Sequence, residues 1–449
     1  MEQQVIITTD LGYGDAGKGT MVDAIVHKED IDLVVRYSGG AQAAHNVVTP
    51  DGRHHTFAQF GSGSFRPGTR TYLGPKVLVQ PKLLLTEAAA LEKLGIEAPL
   101  RLMYIDERAP VITPYHQLVN QIKELARGAG RHGSTGIGIG ETRADSEDET
   151  IDHIRVGDLK NAALVKSKLA QVREEKKRAS LPLLQEYAAN QSITRAWHMF
   201  MSETLFQETL RSYEALAKYV RITDASYLKN HLQVGNRAVF EAAQGTLLDE
   251  DFGFFPYVTR SKVRDVHAHE LLDAVGHTDR PYVLGITRAY AARHGPGPFP
   301  TENAWLRGQI YEAHNEHGAW QGAFRMGHFD PIATRYAIAV NEQVDGVAVT
   351  SLDQFAHLPS FLYADSYVDA MGYKLDELEL LKAGDLAQLA KRSDWLMQEV
   401  SATYRKAPMQ GEHVLGVISG QLDCPVVATS SGMTREAKQF FSIATKAVA

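Results

Sequence analysis

Val5-Ile6-Ile7, followed by Gly14-Asp15-Ala16-Gly17-Lys18-Gly19-Thr20, is the stretch from which the fold can be read. A short β-branched run, a glycine turn and then the apolar positions Met21, Val22, Ala24, Ile25 and Val26 spell strand, loop and helix. Such a turn points backbone N–H groups and the positive end of a helix at a polyphosphate. The spacing Gly12-x-x-x-x-Gly17-Lys18 matches a P-loop up to its last position, where Gly19 stands in place of Ser or Thr. The hydroxyl that would hold Mg²⁺ is therefore missing, and a carboxylate, Asp15, lies inside the loop instead. An acid beside bound phosphates either ligates a metal or takes a proton, and a simple nucleotide switch needs neither. The plainer alternative is an ordinary glycine turn between strand and helix.

Composition limits the classes open to the chain. Its 449 residues are 44% hydrophobic and 22% charged, which fits a globular protein with a sizeable core. A formal charge of −7 argues against a general nucleic-acid binder but leaves room for a local basic funnel. Cys424 is the only cysteine, so neither an intramolecular disulfide nor a cysteine zinc site is available. No apolar run approaches the roughly 18 residues of a membrane span, and no signal peptide precedes the first strand. The expectation is a cytoplasmic protein without nucleic-acid or membrane partners.

Strands and helices alternate along the chain without a linker, repeat or low-complexity stretch. Leu33–Tyr37, Ala238–Glu241, Tyr282–Ile286 and Val347–Thr350 read as strands. The last three are short apolar runs followed by polar or glycine-rich loops, the pattern of buried parallel strands whose C-terminal ends carry a site. Helical patterns cover Pro81–Leu94, Leu159–Gln191 and Leu375–Val400, and the charge run Arg173–Arg178 reads as a solvated helix face. The fold class expected is α/β: one large domain, 1–449, on a mostly parallel central sheet, with a P-loop-like turn and long active-site loops.

Five further segments, in order and spacing, carry a family resemblance. They are Arg36-Tyr37-Ser38-Gly39-Gly40-Ala41-Gln42-Ala43-Ala44-His45-Asn46, Gly133–Gly140, Phe240–Asp249, Gly295–Glu302 and Thr350-Ser351-Leu352-Asp353. The chain resembles the adenylosuccinate synthetases from about residue 5 to about 435. That resemblance implies a GTP-dependent ligase that phosphorylates the 6-oxo group of IMP and displaces phosphate with the amine of aspartate. It implies Asp15 as the base on N1, His45 as the group that stabilises the attacking oxygen, and Lys18 as a phosphate neutraliser. Mg²⁺ would be held by Asp15 and the carbonyl of Ala44. The nucleotide would meet Gln42, Thr135, Gln244 and Thr259. GTP would meet Gly14, Gly17, Lys18, Gly19, Arg325, Asp353, Ser430 and Gly432, and the amino acid a loop at Gly322, Ala323 and Arg325. A homodimer is implied as well. Each residue also has a plainer reading: Asp15 as a helix cap, and the others as satisfied polar groups.

Departures from the family pattern are concentrated around the substrates. Ala16 replaces a glutamate, and Ala41-Gln42 replaces His-Asn. Ile137 stands where an arginine is expected, and Thr150-Ile151-Asp152 occupies the stretch of a basic pair that includes a cross-subunit phosphate ligand. Ala323 falls where an arginine would grip the amino-acid carboxylate, and Ser351 replaces a lysine beside the guanine-reading Asp353. Arg260 or Lys262, in the basic segment Thr259–Arg264, is expected to supply the missing phosphate charge. Three readings follow: the family reaction itself, a paralogue with the same activation chemistry on another nucleotide or amine, or a non-catalytic nucleotide-binding regulator. Retention of Asp15, Lys18, His45 and Gln244 argues against the last.

Overall fold

Burial on both faces explains the central strand. In a computed structural model, which describes residues 3–312, 320, 322–355 and 358–441, Val5–Asp10 is a strand with every side chain buried. Val5 and Ile7 pack to one side with Leu33, Val35 and Phe240. Ile6 packs to the other with Met21, Val22, Ile25 and Val34. Each such aliphatic side chain contributes about 1.5–3 kcal/mol on burial. A polar substitution at any of the three would leave an unsatisfied group in the sheet.

The strand sits in the middle of a ten-stranded sheet. Outward on one side lie Ala238–Gly245, Leu33–Arg36, Arg70–Leu73, Met103–Asp106 and Arg221–Thr223; on the other lie Tyr282–Arg288, Gly346–Thr350, Val426–Ser430 and Lys438–Phe440. Neighbours run parallel except the last pair, Val426–Ser430 with Lys438–Phe440. The four strands expected from sequence all belong to this sheet. Because the chain leaves the central strand for both halves of the sheet, the crevice at its C-terminal end is a topological switch point. The functional loops open there.

Two helical expectations need correction. Leu375–Val400 is helical only over Leu386–Gln398, because Lys374–Leu375 pairs with Phe361–Val368 in a small antiparallel sheet. Leu159–Gln191 divides into a 3₁₀ turn at Val156–Lys160, a helix Ala162–Glu186 and a second helix from Gln191. The charge run Arg173–Arg178 is only partly solvated. Arg173 lies over the Phe206 ring at 4.7 Å, and Lys176 bonds the buried Asp145 beneath it. No helix among the described residues is long and apolar enough to cross a membrane.

Candidate active site

The loop after the central strand is shaped by an acid that sequence reasoning passed over. Asp10 accepts hydrogen bonds from the N–H groups of Gly12 at 2.8 Å, Gly14 at 3.3 Å and Ala16 at 2.9 Å. Lys18 Nζ donates to Asp10 at 2.8 Å and to the Gly14 carbonyl at 2.8 Å, with both charged side chains fully buried. The lysine expected to face phosphate therefore directs its charge inward and locks the turn. Gly17 adopts φ 85°, a left-handed conformation that glycine takes without strain, and the helix Lys18–Lys28 starts immediately after it.

Gly19 has a steric explanation. A Cβ there would lie 2.7 Å from His45 Cβ and 3.2 Å from the Asn46 carbonyl oxygen. The strand His45–Val48 presses against the first turn of the helix, so the hydroxyl residue usual in a P-loop has no room. The same contact fixes where the imidazole goes. His45 is buried, with Nδ1 2.6 Å from Glu241 Oε1 and Nε2 3.4 Å from the Ala243 carbonyl oxygen. Burial pushes Glu241 upward, yet Arg36, the imidazole and the Ser62 hydroxyl together bring its carboxyl down to about 2. Burial holds His45 below its ordinary value. The ionised Glu241 carboxylate thus lies directly behind the imidazole, at Nδ1, and fixes the ring from its buried side. Glu241 has no role legible from its own segment, because its partner is 196 residues away in sequence.

Asp15 and His45 line one cavity of about 1180 Å³ with Gly14, Gln42, Ala44, Thr135, Gln244 and Thr259. That volume exceeds the roughly 300–1,000 Å³ usual for one small ligand, leaving room for more than one substrate. Gln244, next to last in the strand beside the central one, reaches the loop, where a Cβ on Gly14 would be 3.6 Å from its Oε1. Both polar atoms of the Gln42 carboxamide are shut off from solvent and, among the described residues, have no hydrogen-bond partner. The turn carrying Thr135 is tied down by Asn120, which donates to Ser134 at 3.0 Å and accepts from the Gly138 N–H at 3.2 Å. Ile137 packs against Ala41, Leu78, Ile112 and Ile139, so its departure from the family pattern joins this turn to the Gln42 loop. Thr259 is set by its N–H bond to Leu248 O at 2.9 Å and by the buried Asp249, which accepts from Val263 N–H at 2.7 Å.

Three further groups border the reactive end. His294 Nε2 lies 3.5 Å from Asp15 Oδ2, and the half-buried Arg288 donates through Nε to the Asp15 carbonyl oxygen. Arg293 is held by the carbonyls of Pro296, Pro298 and Tyr257 and stacks on Tyr13 at 4.5 Å. Among the described residues no group of three His, Cys, Asp or Glu side chains could hold a metal. The donors available at the loop, the Asp15 carboxylate and the Ala44 backbone, are hard oxygens. They suit Mg²⁺, which keeps waters and phosphate oxygens as its other ligands.

The residues expected to meet the amino acid and the guanine lie outside this cavity. Gly322, Ala323 and Arg325 do not line it. Arg325 donates to Glu302 at 2.9 Å and to the carbonyls of Gly295 and Gly297 at 3.1 and 2.9 Å. Its guanidinium clasps the Gly295–Glu302 loop and is not open to a phosphate in this structure. Asp353 follows the strand Gly346–Thr350, whose Thr350 Oγ1 donates to Ala16 O at 2.7 Å and so abuts the loop. Ser430 donates to Gly432 O at 3.2 Å. Lys438, not anticipated from sequence, donates to the carbonyls of Gly432 and Thr434 at 2.6 and 2.9 Å, and burial brings its ammonium down to about 8.

Comparison with known proteins bears on this arrangement. Residues 6–439 match the family model described as adenylosuccinate synthetase. The adenylosuccinate synthetase of Psychrobacter cryohalolentis is 33% identical over 437 residues, covering 94% of this chain and 95% of that one. That of Pelotomaculum thermopropionicum is 35% identical over 369 residues, covering 81% of each. The fully ligated adenylosuccinate synthetase structure from Plasmodium falciparum superposes with a TM-score of 0.75 at 22% identity, covering 98% of this chain and all of that one, a likeness of fold. The chain belongs to the adenylosuccinate synthetase family, whose members are GTP-dependent ligases that form a C–N bond from IMP and aspartate.

Proposed function

We propose that the Asp15–His45 cavity is where this ligase activates the purine. The supporting observation is that Asp15, His45, Gln42, Thr135, Gln244 and Thr259, dispersed over the sequence, surround one cavity at the switch point of the sheet. The base of the nucleotide lies against Gln244, with its 6-oxo oxygen toward His45. Asp15 accepts the N1 proton, which makes that oxygen a nucleophile. His45 bears on the oxygen as charge builds, and the ionised Glu241 behind it stabilises an imidazolium and fixes the ring. Lys18 acts through Asp10 by holding the loop N–H groups in place. Asp353, Ser430 and Gly432 receive the guanine of GTP, and Gly14, Gly17 and Gly19 border its phosphates. The segment Gly322–Arg325 flanks the amino acid, with Arg325 acting through Glu302.

Asp15 and the Ala44 carbonyl would hold Mg²⁺, which when bound neutralises phosphate charge. The protein functions in the cytoplasm as a homodimer. The test is GDP and phosphate release with GTP, Mg²⁺, IMP and aspartate, each omitted in turn. Turnover that needs all four, with adenylosuccinate appearing by absorbance, is the expected result. GDP release indifferent to aspartate would replace the amine in this reading, and no release with any purine monophosphate would reject it.

A further inference from the structure

The cations around the cavity differ in whether they already have partners. Lys123 donates to both oxygens of Glu141 at 2.8 and 2.9 Å, Arg127 is paired with Glu124, and Lys262 lies 3.1 Å from Asp251. Arg293 is saturated by three carbonyls. Arg260 lines the same cavity and, among the described residues, has no carboxylate within ion-pair distance. An arginine with a free planar fork, facing a cavity in an acidic chain, is suited to a dianionic ligand group.

Its surroundings favour the same ligand. The Arg260 stem crosses the first turn of the helix Ile139–Glu147, where a Cβ on Gly140 would lie 3.7 Å from Arg260 Cβ and 3.9 Å from its Cδ. That helix has no side-chain cap, so its leading N–H groups are unsatisfied from within. The Gln42 carboxamide, with both polar atoms buried and no partner among the described residues, belongs to the loop whose Ala41 packs on Ile139. Thr135 and Thr259 complete the set.

We propose that Arg260 binds the 5′-phosphate of the acceptor nucleotide from within the same protomer, together with the N-terminus of the Ile139–Glu147 helix and Gln42. This rests on the reading of the cavity as the acceptor-nucleotide site. It separates the two cations considered from sequence: Lys262 is held by Asp251, and Arg260 is the phosphate ligand.

The test compares IMP with inosine, which lacks the phosphate, by calorimetric titration in the absence of GTP, using the full-length protein and its Arg260→Gln, Arg260→Lys and Lys262→Gln variants. Steady-state KM values for GTP and IMP accompany the titrations. Arg260→Gln should weaken IMP about 10- to 100-fold, as expected for loss of a charge-assisted pair, while inosine and the KM for GTP stay within about twofold. Arg260→Lys should recover part of the loss, and Lys262→Gln should bind IMP like wild type. IMP affinity unchanged in Arg260→Gln, equal losses for IMP and inosine, or a loss that follows Lys262 would each overturn the proposal and leave the nucleotide reading intact. Wild-type protein that binds no purine monophosphate would overturn both.

Discussion

Replacing Glu241 by Gln tests the buried charge arrangement behind His45. The carboxyl is wholly buried, accepts from Ser62 N–H at 3.0 Å and faces Arg36 and the His45 imidazole. Its folded-state value of about 2, against 4.5 when unperturbed, corresponds at about 1.4 kcal/mol per unit to roughly 3 kcal/mol of stability. The folded value is depressed, so this contribution is complete above the unfolded value and is lost as pH falls toward about 2. Glu241→Gln keeps the shape and removes the charge, which also leaves the buried Arg36 without its counter-charge. Urea unfolding of both proteins should show a gap of roughly 3 kcal/mol at pH 7 that is about halved by pH 3. Turnover should fall about 10- to 100-fold with little change in the KM for GTP, because an amide no longer fixes the imidazole. Equal midpoints at pH 7, or a gap that does not narrow with acid, would refute the assignment of an ionised Glu241.

Four other outcomes are expected. Asp15→Asn should retain the folded state by circular dichroism and lose GDP release by at least about a hundredfold, the scale of removing a general base. Gly19→Ala should push on His45 and lower turnover, with an overpacking cost of about 1–3 kcal/mol visible in thermal unfolding. Lys18→Met strands the buried Asp10 charge, and a loss of about 3–5 kcal/mol should appear in urea melts at pH 7. Glu250 borders the cavity and is raised to about 7 by burial and then by Glu147. Its folded value lies above its unfolded one, so stability falls as pH rises from the unfolded value to about 7. Glu250→Gln should therefore be more stable than wild type at pH 8 and indistinguishable from it at pH 4.

The acidic turn, the four strands of the central sheet and the order of the glycine-rich segments were legible in sequence because each is local. Strand burial shows as a run of β-branched residues, and a phosphate turn shows as glycine spacing. Helix ends were less legible around Leu375, where a two-residue strand is chosen by its partner Tyr367–Val368 rather than by its own pattern. The side chains that set the site depend on distant partners. Lys18 reads, from spacing alone, as a phosphate ligand, yet its charge is paired with the buried Asp10. Arg325 is expected from the resemblance to meet GTP, yet Glu302 and two carbonyls determine where its charge lies.

Sequence by itself determined the α/β class and the family, since these follow from local pattern and the order of the motifs. Only the tertiary structure decided why Gly19 is glycine, which carboxylate sits behind His45 and that Lys262, but among the described residues not Arg260, is paired with a carboxylate. Those facts depend on distances between residues far apart in the chain, and packing and Coulomb energies act through such distances irrespective of sequence order.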